Sequence, residues 1–179
     1  MNTQSLRLNA TLPPFPKLPG GDGKQYSSAD FKNEVLVVVF SCNHCPYVQA
    51  YEDRMIAFQN EFASKGVQLI AINSNEIQNY PDDSYEHMVT RAKQKGFNFP
   101  YLRDDNQSVA ESFGATHTPQ FFVFDKARTL RYLGKMDDNW KEPQLVKDRY
   151  LRDAVESLLA GKEVQVKETY SIGCTIKWR

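Results

Sequence analysis

Two cysteines are separated by only two residues in the segment FSCNHCPYV, at positions 40–48. At this spacing Cys42 and Cys45 can close a small disulfide loop, and the pKa of a thiol in such a pair falls when it lies at a helix start. His44 stands between them, and a protonated imidazole there favours a thiolate at Cys42. The segment predicts thiol–disulfide exchange, with Cys42 as the exposed nucleophile and Cys45 as the deeper, resolving thiol.

The dithiol is placed between a predicted strand and a predicted helix. Val35–Phe40 is a continuous apolar run, too short for a typical helix, and it predicts a strand that is buried on both faces. From Pro46 onward apolar residues recur at steps of three and four, which predicts an amphipathic helix that ends at Gly66. In an open α/β sheet ligands bind beyond the carboxyl ends of the strands. The predicted dithiol lies at such an end, where helix amides favour a thiolate.

The rest of the chain predicts a mixed α/β fold. Further strands are expected at 67–75, 120–125 and 129–136, an extended segment at 97–102, and helices at 84–95, 104–114 and 146–159. We expect a central mixed β-sheet flanked by helices on both faces, in a single domain over residues 1–179. Residues 1–30 form an N-terminal extension with a hairpin at Asp22-Gly23, and residues 162–179 form a C-terminal tail that carries Cys174.

Thr118-Pro119 precedes the strand QFFVF, and with the dithiol it resembles the thioredoxin superfamily. The segments CNHCPYV, AINSN, FPYLRDDNQSVAESFGATHTPQFFVFD and GCTIKW resemble a peroxiredoxin-like subgroup of the alkyl hydroperoxide reductase and thiol-specific antioxidant (AhpC/TSA) class. The resemblance implies a thioredoxin-like fold and a thiol–disulfide oxidoreductase. It also implies a cis Pro119 that faces the dithiol across a substrate groove, which Thr118 and His117 line.

Two departures from well-known relatives bear on the activity. Peroxiredoxins carry Pro-x-x-x-Thr-x-x-Cys, but Val35 and Val39 stand seven and three residues before Cys42. Peroxide reduction is therefore the alternative activity and not the first one. Thioredoxin has a buried acid before its dithiol, whereas the predicted strand here has no acid after Glu34. The sequence thus predicts no buried carboxylate that accepts a proton from the inner thiol.

Several residues keep more than one interpretation. Cys174 is a buried structural thiol, a third redox thiol or, less favoured, half of an interchain disulfide, because its 129-residue separation from Cys45 gives no distance. The three cysteines with His44, His87 or His117 supply enough ligands for zinc, so a non-enzymatic redox-sensing or zinc-binding module is a further alternative. Three asparagines mark the expected edge of the site as turn formers or substrate contacts: Asn43, Asn73 and Asn75.

Charge and hydropathy exclude several classes of partner. The chain has 22 basic and 22 acidic residues without a basic block, which argues against nucleic acid and membrane surfaces. No apolar run approaches the roughly 20 residues of a spanning helix, and the N-terminus does not resemble a signal peptide. We therefore expect a cytoplasmic protein that acts on protein or small-molecule disulfides and is restored by a thiol reductant. No metal is expected, and no cofactor besides the redox-active disulfide.

Overall fold

The computed structural model of the protein describes residues 5–179, so residues 1–4 of the predicted N-terminal extension lie outside it. Its strands are β1 Leu18–Pro19, β2 Gln25–Tyr26, β3 Val35–Phe40, β4 Val67–Asn73, β5 Tyr101–Arg103, β6 His117–Thr118, β7 Gln120–Phe124, β8 Leu130–Gly134 and β9 Cys174–Thr175. Its α-helices are α1 Pro46–Phe62, α2 Tyr85–Lys95, α3 Ser108–Phe113 and α4 Tyr150–Leu159. Short 3-10 turns occupy Ser28–Asp30, Ala63–Lys65, Pro81–Asp83 and Pro143–Leu145.

Five strands form the central sheet in the order β5-β4-β3-β7-β8. β3, β4 and β5 are parallel, while β7 runs antiparallel to β3 and β8 antiparallel to β7. The predicted mixed sheet is confirmed, with β3 at its centre. The carboxyl ends of β3 and β4 therefore lie side by side, and the dithiol follows the first of them.

The sheet is covered on both faces, as predicted, because alternate residues of β3 enter two different cores. Val35, Val37 and Val39 pack with apolar residues of α1, α2 and α4. Leu36, Val38 and Phe40 pack with α3 and with apolar residues of the N-terminal extension. Since the side chains of a strand alternate between faces, a run that is apolar throughout can be buried only between two layers.

The short helix α3 holds its face of the sheet through one aromatic side chain. Phe113 meets the rings of Phe40, Phe122 and Phe124 edge-on, at centroid distances of 5.2, 5.2 and 5.9 Å. Edge-to-face geometry suits the ring quadrupoles and adds about 0.5–1.5 kcal/mol per pair to the effect of burial. This cluster supports β3 and β7 directly behind the segments that carry Cys42 and Thr118.

Several predicted boundaries are confirmed and others are wrong. Ser84 caps α2 by accepting the N–H of His87, and Gly96 ends that helix with a left-handed backbone, both as predicted. The C-terminal helix begins at Tyr150 and not at 146, because the chain there first forms the 3-10 turn at Pro143–Leu145. Of the segment 97–102, only its last two residues are in a strand, which continues to 103.

The largest difference lies in the C-terminal tail. β9 pairs antiparallel with β6, and the register places Cys174 opposite Thr118. The two segments approach so closely that a Cβ on Gly173 would lie 2.0 Å from the carbonyl oxygen of Thr118. The tail therefore forms a short strand pair with β6 beside the dithiol. No periodicity in residues 162–179 predicts this pairing.

Candidate functional site

The loop that carries the dithiol is fixed at Asn43. Its backbone N–H donates to Asp83 Oδ1 at 2.7 Å, and its side-chain amide donates to the carbonyl of Asp82 at 2.8 Å. Its side-chain oxygen accepts the hydroxyl of Tyr101, also at 2.8 Å. Asn43, expected at the edge of the site, therefore holds the backbone between the two cysteines against the loop that follows β4.

The helix α1 begins at Pro46, where its apolar pattern starts, and Cys42 lies outside it. Cys45 is its N-cap residue, so Cys42 is not part of its first turn. Cys42 is also 4% exposed, as is Cys45, and the expectation of an exposed Cys42 is wrong. The physical reason is that the Pro81–Asp83 turn, tied to Asn43, lies beside the end of β3.

Three sulfur atoms meet at this point of the fold. Cys45 Sγ lies 2.8 Å from Cys174 Sγ and 3.4 Å from the carbonyl oxygen of Thr118. Cys42 Sγ lies 3.5 Å from the hydroxyl of Thr118. All three cysteines are reduced, and Cys174 is more exposed than the other two. The structure thus brings together the predicted dithiol and the third thiol, which the sequence left open.

The pKa of Cys45 is lowered because several donors surround its sulfur. The largest effect is a hydrogen bond from Cys42, and burial opposes it. The Cys174 thiol and the nearby backbone amides of Val48 and Cys174 also lower this pKa. Cys45 is the N-cap residue of α1, but its side chain makes no capping hydrogen bond to the first turn. Of the two thiols, Cys45 is the one whose pKa is lowered.

The pKa of Cys42 is raised, which reverses the sequence prediction of a lowered value. Its hydrogen bond to Cys45 contributes most, followed by burial and by the negative charge of Asp83, while the hydroxyl of Thr118 acts in the opposite direction. The helix amides that were expected to stabilise a Cys42 thiolate do not lie at Cys42, because the helix begins after Cys45. Of the two thiols, Cys42 is the one whose pKa is raised.

Asp83 is a buried carboxylate beside the dithiol that the sequence analysis missed. Its side chain is almost fully buried and accepts hydrogen bonds from the Asn43 backbone, from the Asn73 amide at 3.0 Å and from the Asn75 amide at 3.0 Å. The prediction of no buried acid considered only β3, the strand before Cys42. The carboxylate instead comes from the loop after β4, and YPDDS contains two aspartates without a pattern that shows which is buried.

Asn73 and Asn75 are structural members of this network. Asn73 also donates to the hydroxyl of Tyr101 at 3.2 Å, and the side-chain oxygen of Asn75 accepts the backbone N–H of Lys177 at 2.9 Å. Asn75 borders the surface depression beside the cysteines, whereas Asn73 is fully buried. The two asparagines connect Asp83 to the sheet and to the tail.

The histidines have different positions from those expected. His44 borders the depression, but its Nε2 lies 3.2 Å from Asp82 Oδ2, and it is not among the main groups that shift the pKa values of the cysteines. His117 lies in β6 with Nδ1 2.8 Å from the hydroxyl of Thr116, outside the lining of the depression. His87 lies on an exposed face of α2, as predicted.

The peptide bond between Thr118 and Pro119 is cis, as the resemblance implies. The predicted groove over these residues is not open, however, because the tail strand β9 pairs with β6 and Gly173 packs against Thr118 and Pro119. The accessible depression lies on the other side of the thiols and has a volume of about 260 Å³. It is bordered by the three cysteines, by Lys177 and by the turn at Pro81–Asp83.

Two kinds of feature are absent from the described residues: a metal-ligating cluster and a membrane-spanning helix. Over residues 5–179, no group of three or more histidine, cysteine, aspartate or glutamate side chains is arranged to hold a metal ion. No helix in the same range is long and apolar enough to cross a membrane. Two neighbouring thiols with opposite pKa shifts and a third thiol in contact are suited to disulfide exchange.

Known proteins match this chain over most of its length. Residues 9–133 match the AhpC/TSA family. A structure of an uncharacterised protein from Geobacillus kaustophilus is 38% identical, with a TM-score of 0.91 over 97% of this chain and 93% of that one. A hypothetical protein from Sinorhizobium meliloti is also 38% identical, with a TM-score of 0.90 over 98% of this chain and 97% of that one.

A more distant match shows the fold alone. The thioredoxin domain of a thiol-disulfide oxidoreductase from Bacteroides vulgatus is 18% identical, with a TM-score of 0.59 over 70% of this chain and 86% of that one. The predicted thioredoxin-like fold is therefore confirmed. Comparison with curated protein sequences gives no match.

Proposed function

The chain belongs to the AhpC/TSA family, and from this premise we propose that it is a thiol–disulfide oxidoreductase that uses Cys42 and Cys45 as its redox dithiol. The family and the thioredoxin-like neighbours support an oxidoreductase or a peroxidase-type enzyme in general. The observation that carries the finer proposal is that both thiols border one depression and contact the same residue, Thr118.

The proposed reaction begins at Cys42. Its sulfur attacks the disulfide of a partner, its proton passes to the Cys45 thiolate, and a mixed disulfide forms as one partner thiolate leaves and takes up that proton. Cys45, again a thiolate, then attacks the Cys42 sulfur and releases the second partner thiolate, which takes a proton from water. Two cysteines are oxidised to one disulfide while one partner disulfide is reduced to two thiols.

Two contacts support this order of attack. The Sγ atom of Cys174 lies 2.8 Å from the Sγ atom of Cys45 and covers it. The Sγ atom of Cys42 instead contacts the hydroxyl of Thr118, at 3.5 Å. Cys45 has the lowered pKa, and the thiol of lower pKa is the better leaving group when the steps run in reverse. Microscopic reversibility then places the mixed disulfide on Cys42.

The proposed partners follow from the small depression at the thiols. Lys177, Asn75 and Asp82 place polar groups on its border, so a substrate presents an exposed disulfide that has polar groups nearby. Protein and small-molecule disulfides both meet this description. A thiol reductant restores the dithiol, and the reaction needs no cofactor besides the redox-active disulfide.

Reduction of insulin disulfides tests the proposal. We expect Cys42→Ser and Cys45→Ser each to lower the rate by at least about 100-fold, because each removes a sulfur that forms a bond during turnover. Asp53→Asn, an exposed substitution on α1, serves as the control and is expected to leave the rate within about twofold.

The same variants distinguish peroxide reduction from disulfide exchange. If the reduced protein reacts with hydrogen peroxide far faster than a free thiol but does not reduce insulin, the peroxidase alternative replaces the proposal. Full insulin reduction by Cys42→Ser would show that the dithiol is not the reacting group.

A further inference from the structure

The C-terminal tail delivers a third thiol to the redox pair. Building on the function proposed above, we propose that Cys174 takes the disulfide over from the pair by exchange at Cys45 and presents it to a dithiol reductant. The substrate and the reductant would then use different cysteines of one protein. The proposal rests on the contact between the sulfurs, on the way the tail is fastened, and on the difference in exposure.

The sulfur contact joins residues far apart in the sequence. Cys174 Sγ lies 2.8 Å from Cys45 Sγ, although 129 positions separate the two residues in the sequence. Thr118 lies opposite Cys174 in the β6–β9 pairing and contacts both cysteines of the pair. Cys174 therefore needs no large movement of the tail to attack Cys45.

The tail is held in this register by hydrogen bonds on both sides of the site. The backbone N–H of Ile176 donates to the carbonyl of Thr116 at 2.9 Å, and Ile176 itself is buried in the core under α3. The carbonyl of Lys177 accepts the backbone N–H of Glu76 and the side-chain amide of Gln107, both at 2.8 Å. So many contacts on one short segment indicate a position that the fold specifies.

Gly173 shows how closely the tail is fitted. A side chain at this position would meet the Thr118 backbone, with contacts of 2.0 and 2.7 Å to its carbonyl oxygen and carbon and 3.2 Å to Pro119 N. Backbone atoms cannot move aside as the end of a flexible side chain can. Glycine is thus required at position 173 so that the tail can lie against the Thr118 backbone. This close packing places Cys174 beside the dithiol.

The exchange step balances without an external reagent. The Cys174 sulfur attacks Cys45 in the Cys42–Cys45 disulfide, the bond between Cys45 and Cys42 breaks, and a bond between Cys45 and Cys174 forms. The proton of Cys174 passes to the Cys42 sulfur, whose pKa is raised. The pKa of Cys174, raised to about 11 in the reduced protein by burial and by Cys45, loses the second of these causes once Cys45 is part of a disulfide.

In this proposal the buried pair reacts with the substrate, and the more accessible Cys174 reacts with the reductant. Cys42 and Cys45 are both 4% exposed, whereas Cys174 is partly exposed. A dithiol reductant that attacks Cys174 displaces Cys45, the thiol with the lowered pKa and hence the better leaving group. Its second thiol then releases Cys174, and all three cysteines return to the reduced state.

Disulfide mapping by mass spectrometry tests the proposal. After oxidation with oxidised glutathione, Cys42→Ser and Cys42→Ala are expected to form an intrachain Cys45–Cys174 disulfide, and Cys174→Ser to form Cys42–Cys45. If Cys174→Ser forms its disulfide but neither Cys42 variant does, the third thiol is not a redox partner and the inference is overturned. If Cys174→Ser forms no Cys42–Cys45 disulfide, the function proposed above fails and the exchange fails with it.

Re-reduction by dithiothreitol gives a kinetic test. We expect oxidised Cys174→Ser to be reduced at least about tenfold more slowly than the oxidised wild type, because the reagent must then reach a buried sulfur. Thr175→Ala changes the exposed neighbour on the same strand and is expected to stay within about twofold of the wild type. Equal rates for Cys174→Ser and the wild type would overturn the relay.

Discussion

At the scale of single residues, the position of the helix start decides which thiol carries the charge. Both thiols have the same chemistry, but only Cys45 is the N-cap residue of α1, and the nearby Val48 amide is one cause of its lowered pKa. The pKa of Cys42 is raised by its hydrogen bond to Cys45 and by the negative charge of Asp83, and both favour the protonated thiol. The sequence identifies the two thiols, but it does not reveal which one stands at the first helical amide.

The hydrogen bond between the two thiols makes a prediction about their acidity. Because the largest cause of the lowered Cys45 pKa is the Cys42 donor, Cys42→Ala is expected to raise the pKa of Cys45, and Cys42→Ser, which keeps an O–H donor, to raise it less. Ultraviolet thiolate absorbance against pH measures this in the reduced variants, and the onset of absorbance moves to higher pH in Cys42→Ala.

The control for this titration is the Cys174→Ser variant, which removes the other thiol that contacts Cys45 and keeps a hydroxyl donor. It is expected to shift the onset less than Cys42→Ala does, since the contact of Cys174 with Cys45 is a smaller cause. An onset at the same pH in Cys42→Ala and in the wild type would contradict a shared proton between the thiols.

At the scale of elements, regular periodicity predicts much and irregular segments predict little. The apolar run of β3 and the three-and-four spacing in α1 are consequences of burial, so the sequence shows both. The turn at Pro81–Asp83 and the strand β9 are held by side-chain and backbone contacts to distant segments. Such contacts leave no local repeat, which is why the buried Asp83 and the paired tail could not be predicted.

The pairing of β9 with β6 makes a second prediction at this scale. Gly173→Ala forces a Cβ against the carbonyl of Thr118, so the tail must shift away from β6. We expect a loss of about 1–3 kcal/mol in the free energy of unfolding, measured by urea denaturation. Amide hydrogen exchange at Ile176 should also become faster, because its bond to Thr116 is broken.

Thr175→Ala again supplies a matched control, because it changes an exposed side chain on the same strand without a new backbone contact. It is expected to change the free energy of unfolding by less than about 0.5 kcal/mol. Continued protection of the Ile176 amide in Gly173→Ala would show that β9 does not depend on close approach at this glycine.

At the scale of the whole molecule, the site is an assembly of segments from all parts of the chain. β3 leads to the thiols, the loop after β4 supplies Asp83, β6 supplies Thr118 and the tail supplies Cys174. The predicted sheet order correctly indicates that the ends of β3 and β4 are neighbours. The position of the tail beside the dithiol depends on the whole fold, and the sequence between Cys45 and Cys174, which are 129 positions apart, contains no pattern that predicts it.

The closed groove is also a property of the whole molecule. The resemblance implies an open cleft at Thr118 and Pro119, whereas the tail fills that place and leaves the depression beside Lys177. In the proposed function a partner therefore meets Cys42 from the side of the Pro81–Asp83 turn. The packing of the tail also places Cys174 against the sulfur of Cys45.

The most direct test of the central claim is the capture of a mixed disulfide by Cys45→Ser. Without Cys45, a disulfide formed between Cys42 and glutathione cannot be resolved in the proposed way, so the protein treated with oxidised glutathione is expected to accumulate an adduct at Cys42. Peptide mass spectrometry locates the adduct, and the wild type is expected to accumulate far less of it. An adduct found only at Cys174, or none at all, would contradict the account.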